Sequence, residues 1–223
     1  MSDEKIKTKT LILPKPDYVT WTDITELLHS AYQERTDQGL QYKAAYQDTH
    51  TTIERVGDGI CLVALYNNEL IGTSTFQVRK GVKWYHGRKY GYFSQLAVHP
   101  NFKRNGIGGL LLERRLDLCR QFDVDTAILH TSEKAKSLIS WHLNNGAQKV
   151  DFQSRINHNY YSIFFRYPVN SMRINPVYCW VRFNMSKIFC KSLKNKYGHW
   201  TMFGKFLHMI MRKQLNETGL QYD

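Results

Sequence analysis

Residues 90–121, YGYFSQLAVHPNFKRNGIGGLLLERRLDLCRQ, constrain the fold more than any other stretch of the chain. The run Tyr90–Val98 reads as a strand. It feeds directly into a loop that gathers Lys103, Arg104, Gly106, Gly108 and Gly109, after which Leu110, Leu111, Arg114, Arg115 and Leu118 continue in helix. This order leaves unpaired backbone N–H groups at a helix start, where the helix dipole adds positive potential and phosphate binds. The spacing is not that of a P-loop, GxxxxGK followed by Ser or Thr. It is not GxGxxG either, because leucines follow Gly109 where a third spaced glycine would stand. A plain strand-to-helix turn remains the alternative reading.

The surrounding pattern predicts a mixed α/β domain. Residues 1–16 are polar and basic, a loose arm leading into a short strand at Thr10–Leu13. From Asp23, read as an N-cap with Glu26 three residues on, an amphipathic helix carries Trp21, Ile24, Leu28, Ala31 and Tyr32. A second helical stretch covers Tyr42–Arg55 and ends at the GDG of 57–59. Residues 60–66 and 70–78 form a hairpin turning at Asn67-Asn68, and 81–89 read as an exposed loop. Beyond the glycine helix come a strand at 126–131, a helix at 134–145 ended by Gly146, and two closing strands within 147–152 and 159–169. Pro168 marks a change of character, so the expected organisation is a domain over 1–168 and a helical extension over 169–223.

Composition narrows the class. A chain of 223 residues, 42% hydrophobic and 13% aromatic, can bury the core of one sizeable domain with a small appendage. No apolar run approaches the roughly 20 residues of a spanning helix, and no signal pattern opens the chain, so a cytoplasmic location is expected. Cys61, Cys119, Cys179 and Cys190 lie far apart and make no ligand spacing with the nine histidines, which predicts reduced, buried thiols and no metal site. The formal charge of +12 favours an anionic partner: nucleic acid, a lipid surface or a phosphorylated cofactor.

The segment QLAVHPNFKRNGIGGLLLERRL resembles the signature of the GNAT superfamily of acyl-CoA-dependent N-acetyltransferases, Q/R-x-x-G-x-G/A between a central strand and a long helix. Residues 20 to about 167 follow that family's element order, and the tail lies outside it. The resemblance implies a GNAT fold, a central mixed, mostly antiparallel twisted sheet flanked by helices. It also implies acetyl-CoA as co-substrate, with Lys103, Arg104, Asn105, Gly106, Ile107, Gly108 and Gly109 on its pyrophosphate. Lys103 stands where Gln or Arg is usual and offers no bidentate fork. The backbone of Leu96, Ala97 and Val98 matches the strand edge that pairs with the pantetheine arm, beside a splay that opens the thioester slot, and an amide there can polarise the thioester carbonyl.

Transfer to an amine needs one proton removed and one delivered to the departing thiolate. The family's acid, a tyrosine four residues before a Gly-Phe pair, aligns with His142, four residues before Gly146. A packed helix histidine is the alternative, and Ala135 and Ala147 replace the usual asparagine and phenylalanine around it. Lys134 and Lys136 are further candidates for CoA phosphates. Ser94 stands where many relatives carry a glutamate base, with Gln95 next, so a water held by Ser94, or His130 or His86, would relay the proton. The missing carboxylate keeps a second reading open, a CoA-binding GNAT-fold protein without turnover that acts through its tail. Residues 33–55, 81–89 and 152–162, with Tyr42, Tyr46, Trp84, Tyr85, Tyr160 and Tyr161, would shape an aromatic acceptor cleft for a small-molecule amine such as an amino sugar.

Residues 169–223 hold nine Lys or Arg against Glu217 and Asp223. Two helical patterns appear, 177–194 and 200–214. In the first, Val177, Val181, Met185 and Ile188 share a face that Trp180 and Phe183 widen, beside Lys187, Lys191 and Lys194. In the second, Phe203, Phe206, Leu207 and Ile210 align, with Lys205, Arg212 and Lys213 off that line. Such helices either dock on the catalytic domain or a second copy of the chain, as in a homodimer, or lie in a membrane interface over 177–214. No nucleic-acid signature is present.

Overall fold

A computed structural model of the chain describes residues 3–80, 89–154, 159–169 and 175–193. Among these, helices are α1 Asp3–Lys9, α2 Trp21–Asp37, α3 Thr49–Val56, α4 Ile107–Gln121, α5 Lys136–Asn144 and α6 Pro176–Leu193. Strands are β1 Leu11–Pro14, β2 Ile60–Tyr66, β3 Glu69–Arg79, β4 Tyr90–Val98, β5 Thr126–Ser132, β6 Gln148–Ser154 and β7 Tyr161–Pro168. The strands hydrogen-bond in the order β1-β2-β3-β4-β5-β7-β6. β4 and β5 run parallel, while β1–β2, β2–β3, β3–β4 and β6–β7 are antiparallel, the mixed sheet expected of a GNAT fold.

Contacts group the chain into two compact units. The first, residues 1–80, 89–129 and 167–172, carries the glycine loop. Its sheet has helices on both faces, as side-chain alternation along β3 requires. Phe76 meets Phe122 at the end of α4 with ring centroids 5.6 Å apart, while the next residue, Gln77, donates to the Val56 carbonyl of α3 at 3.0 Å. Ile24, Leu27 and Leu28 of α2 pack with Val63 and Ala97, and Ile107, Leu111 and Leu118 of α4 are buried. The hairpin turns through Asn67 and Asn68 at φ +50° and +64°, the left-handed pair that a two-residue turn between twisted strands requires.

Three local expectations change. The arm contains a helix, α1, whose basic end (Lys7, Lys9) complements the helix dipole and whose Ile6 is buried. Thr20, not Asp23, caps α2: Thr20 Oγ1 accepts from the Asp23 amide at 3.1 Å, and an Asp23 carboxylate oxygen accepts from the Thr20 amide at 2.8 Å. The stretch 42–55 divides into a 3-10 turn, Lys43–Ala45, and α3, because Asp48 leaves the helical course and caps the Thr51 amide at 2.7 Å.

The second unit comprises residues 81–88, 130–166 and 173–223. In it α6 packs on β6. Phe183 meets the Phe152 ring at 6.1 Å, Ser186 Oγ accepts from the Phe152 amide at 3.0 Å, and Arg182 pairs with Asp151 at 3.3 Å. The face turned inward is therefore Cys179, Phe183, Ser186 and Cys190, at spacings of three and four. Val177, Val181, Met185 and Ile188, the face expected either to dock on the domain or a second copy or to lie in a membrane interface, are exposed. A ranking by hydropathy misses this because β6 offers α6 polar main-chain partners as well as an aromatic ring. The second tail pattern, 200–214, and the 81–88 loop lie outside the described residues.

Candidate functional site: a splayed strand edge beside an amide-lined loop

The β4 strand contains the decisive irregularity. Thr73 pairs with Ala97 but Thr75 pairs with Ser94, so β4 holds one extra residue, a β-bulge. Gln95 takes up that bulge at φ +50° in the left-handed region. Among the described residues, β4 pairs on its other side with β5 only at Gly91–Ala127 and Tyr92–Ile128. From Phe93 to Val98 the strand has no ladder partner there among those residues, which leaves an opening along that edge. His99 donates its amide to Ile71 at 2.8 Å, so by alternation Leu96 and Val98 turn their main-chain groups away from β3, toward the opening.

A buried polar network holds the bulge. Gln95 Oε1 accepts from Gln47 Nε2 at 2.8 Å, and Gln95 Nε2 donates to Thr75 Oγ1 at 3.0 Å. Gln47 Nε2 also donates to Thr52 Oγ1 at 2.7 Å, Thr25 Oγ1 donates to Thr52 Oγ1 at 2.8 Å, and Arg55 donates to Gln47 Oε1. Tyr32 on α2 donates its hydroxyl to the Leu96 carbonyl at 3.1 Å. Burial pushes the Tyr32 hydroxyl up to about 12, so at neutral pH it is a donor that anchors the strand edge. Ser94 Oγ is buried with no hydrogen-bond partner among the described residues. Of this set, the sequence pointed to Ser94 with Gln95 next to it and to Tyr32 only as an apolar position of the first helix; Gln47 and Thr52 carried no signal beyond polarity.

The loop follows immediately. Pro100–Phe102 make one 3-10 turn, Arg104 adopts φ +68° and Gly106 adopts φ +78° as the residue before α4. The amides of Arg104, Asn105, Gly106, Ile107 and Gly108 have no acceptor among the described residues, whereas those of Gly109 and Leu110 donate to Gly106. Five consecutive free amides at a helix start fit an anionic diphosphate. No side chain caps α4, and Gly106 makes the left-handed turn without strain. Lys103 is drawn aside by Glu34, whose carboxylate it meets at 3.0 Å and holds below the usual carboxylate range. A cation absent from the sequence reading stands close by: the aliphatic stem of Lys7 from α1 crosses Gly106, where an added Cβ would lie 3.1 Å from Lys7 Cδ.

His142 belongs to the second unit. It is 3% exposed, with its ring 4.9 Å from Trp141 and 5.3 Å from Phe165. His130 stacks on Phe164 at 5.0 Å, and Lys134 and Lys136 are exposed. Of the tyrosines expected in an aromatic cleft, Tyr42 packs on Tyr32 at 5.3 Å and Tyr46 is exposed in the first unit, and in the second Tyr160 is buried and Tyr161 stacks on Phe152 at 5.0 Å. His86, Trp84 and Tyr85 lie outside the described residues. All four cysteines are buried thiols outside any disulfide, and burial pushes Cys119 up to about 12 and raises Cys61 and Cys179, which leaves these three as neutral thiols rather than nucleophiles.

A bulged strand that parts from its parallel neighbour and runs into an amide-lined helix start is the arrangement that the resemblance to acyl-CoA-dependent acyltransferases implies. The model of the acetyltransferase (GNAT) family matches residues 21–147, more than half of the chain, and the chain belongs to that family. Solved structures share the fold. YncA of Salmonella typhimurium, solved with its cofactor acetyl-CoA, is 16% identical with a TM-score of 0.56, covering 74% of this chain and 97% of its own. A GNAT family acetyltransferase of Elizabethkingia anophelis with acetyl-CoA bound is 17% identical with a TM-score of 0.53, covering 72% and 98%. The ribosomal-protein-S18-alanine N-acetyltransferase of Escherichia coli is 17% identical with a TM-score of 0.53, covering 74% and 97%. No curated protein sequence matches the chain.

Proposed function

We propose that this protein transfers an acetyl group from acetyl-CoA to the primary amine of a small molecule by direct attack in a ternary complex. The observation that carries the reading is the β4 bulge with its splay from β5, next to five free amides at 104–108. Those amides, with Arg104 and Lys7, would hold the pyrophosphate of the cofactor, and the main chain of Leu96 and Val98, turned away from β3, would hold its pantetheine arm, while Ala97 stays paired with Thr73. Acetyl-CoA supplies an activated acetyl thioester. The chain's part is to orient that thioester, to offer a main-chain amide to its carbonyl oxygen, and to move protons. Neutral, buried Cys61, Cys119 and Cys179 favour direct transfer over an acyl-cysteine route.

Ser94 Oγ, buried and without a partner among the described residues, is the group we assign to hold the water that takes the amine proton. His142 is carried forward as the proton donor on its position four residues before Gly146 in the family pattern. The amine acceptor is proposed as a small metabolite, an amino sugar among the classes consistent with Tyr42 and Tyr46. Isothermal titration with acetyl-CoA and a thiol-release assay over a panel of amines test the reading. Micromolar cofactor binding and turnover with an amine, lowered in His142→Phe and Ser94→Ala, are expected. Cofactor binding without turnover on any amine would favour the second reading, a CoA-binding protein without activity, for which the absence of a carboxylate at Ser94 speaks. No binding at millimolar acetyl-CoA overturns both.

A further inference from the structure

We propose that the outward face of α6 docks on an anionic lipid surface. The helix is held to β6 through Cys179, Phe183, Ser186 and Cys190, and its opposite side presents Val177, Trp180, Val181, Met185 and Ile188, with Trp180 66% and Ile188 67% exposed. A surface groove lined by Tyr178, Val181, Arg182, Met185, Ser186 and Phe189 runs along one flank of the helix, between this face and the side that meets β6. Monomeric soluble proteins rarely leave a continuous apolar stripe of this kind uncovered.

The occupant follows from charge. Lys187 and Lys191 flank the stripe in one helical row with Trp180, at i+7 and i+11, and neither makes an ion pair among the described residues. The whole segment 169–223 has nine Lys or Arg against two acids. Pairing this face with the same face of a second copy would bring two such cationic segments together, at an electrostatic cost. Nucleic acid would meet apolar side chains at the centre of the patch, where its phosphates need cations. An anionic bilayer surface satisfies both parts: the apolar stripe enters the acyl boundary, Trp180 sits at the headgroup level, and Lys187 and Lys191 meet lipid phosphates. Among the described residues no helix is long and apolar enough to span a bilayer, so the contact is peripheral.

Co-sedimentation of the full-length protein with phosphatidylglycerol vesicles and with phosphatidylcholine vesicles tests this. Pelleting with the anionic vesicles, weaker with the neutral ones and falling with added salt, is expected. The exposed-site variant Val181→Asp/Ile188→Asp should lose pelleting, and Lys187→Gln/Lys191→Gln should lower partitioning roughly 25-fold, about fivefold per lysine. Calorimetry with acetyl-CoA on each variant reports that the folded cofactor site is intact independently of lipid. Absent pelleting of the wild-type chain, equal pelleting with both lipids, or pelleting that survives in Val181→Asp/Ile188→Asp overturns the proposal. A dimer in sedimentation velocity that the same double variant dissolves would assign the face to a second copy, and would also overturn it.

Discussion

Replacing Gln95 by glycine and by alanine separates what the bulge backbone needs from what the side chain supplies. Both variants delete the same two well-formed hydrogen bonds, to Gln47 at 2.8 Å and to Thr75 at 3.0 Å, while the contact to the Thr52 carbonyl at 3.4 Å adds little. Gln47 Nε2 keeps Thr52 Oγ1, and the shared loss is about 1 kcal/mol per bond, about 2 kcal/mol in all. The backbone contribution differs between the two. At φ +50° an alanine pays about 1–2 kcal/mol for its Cβ that a glycine does not. In an ordinary strand the order is reversed, glycine being the weaker by about 0.5–1 kcal/mol. Gln95→Gly is therefore expected to be the more stable of the pair by about 1 kcal/mol. Urea unfolding followed by tryptophan fluorescence and far-UV circular dichroism measures it. An alanine variant as stable as the glycine variant, or more so, would refute the left-handed bulge and with it the account of why β4 leaves β5.

Three further outcomes are expected. Gly106→Ala should lose about 1 kcal/mol of stability through its φ of +78° and weaken acetyl-CoA binding, whereas Gly109→Ala, a helical position whose Cβ enters open space, should gain about 0.5–1 kcal/mol; thermal melts and calorimetry distinguish them. Arg115 is fully buried over the Phe93 ring at 4.4 Å with Nη2 unpartnered among the described residues, and burial lowers its pKa from 12.5 to about 10. Since the unfolded chain binds the extra proton between those values, this group makes stability rise with pH across that window, and Arg115→Met should remove the rise and stabilise the protein at neutral pH by about 1 kcal/mol in urea titrations. Hydrogen bonds from Thr20 hold Asp23 below the usual carboxylate range, so its contribution is present above that range and is lost as pH falls through the depressed value; Asp23→Asn should flatten the acid limb of the melting temperature against pH.

Legibility in the sequence followed the range of the interactions. The hairpin at Asn67-Asn68 and the strand Tyr90–Val98 depend on residues only a few positions apart and are readable as such, whereas α4 begins at Ile107 and takes in Gly108 and Gly109, three residues before the helix expected from Leu110. Where two local signals competed, reading slipped: Thr20 and Asp23 are both good caps, and only the reciprocal bonds between them show which one begins α2. In the loop, Lys103 was readable as a cation, but its pairing with Glu34, 69 residues earlier, was not.

The sequence by itself determined the class of the fold, through the order of periodic segments, and located the glycine loop proposed for the cofactor, through glycines and cations packed between a strand and a helix. Tertiary structure decided the rest. Gln95 bends β4 because Gln47, Thr52 and Thr75 converge on it from positions 48, 43 and 20 residues away, a meeting that no local pattern encodes. The inward face of α6 was likewise set by what β6 offers, a Phe152 ring and a main-chain donor, and so the more apolar side was left facing outward. Hydropathy and spacing describe what one segment can do alone; which of its faces is buried, and which of its polar groups find partners, is a property of the pair.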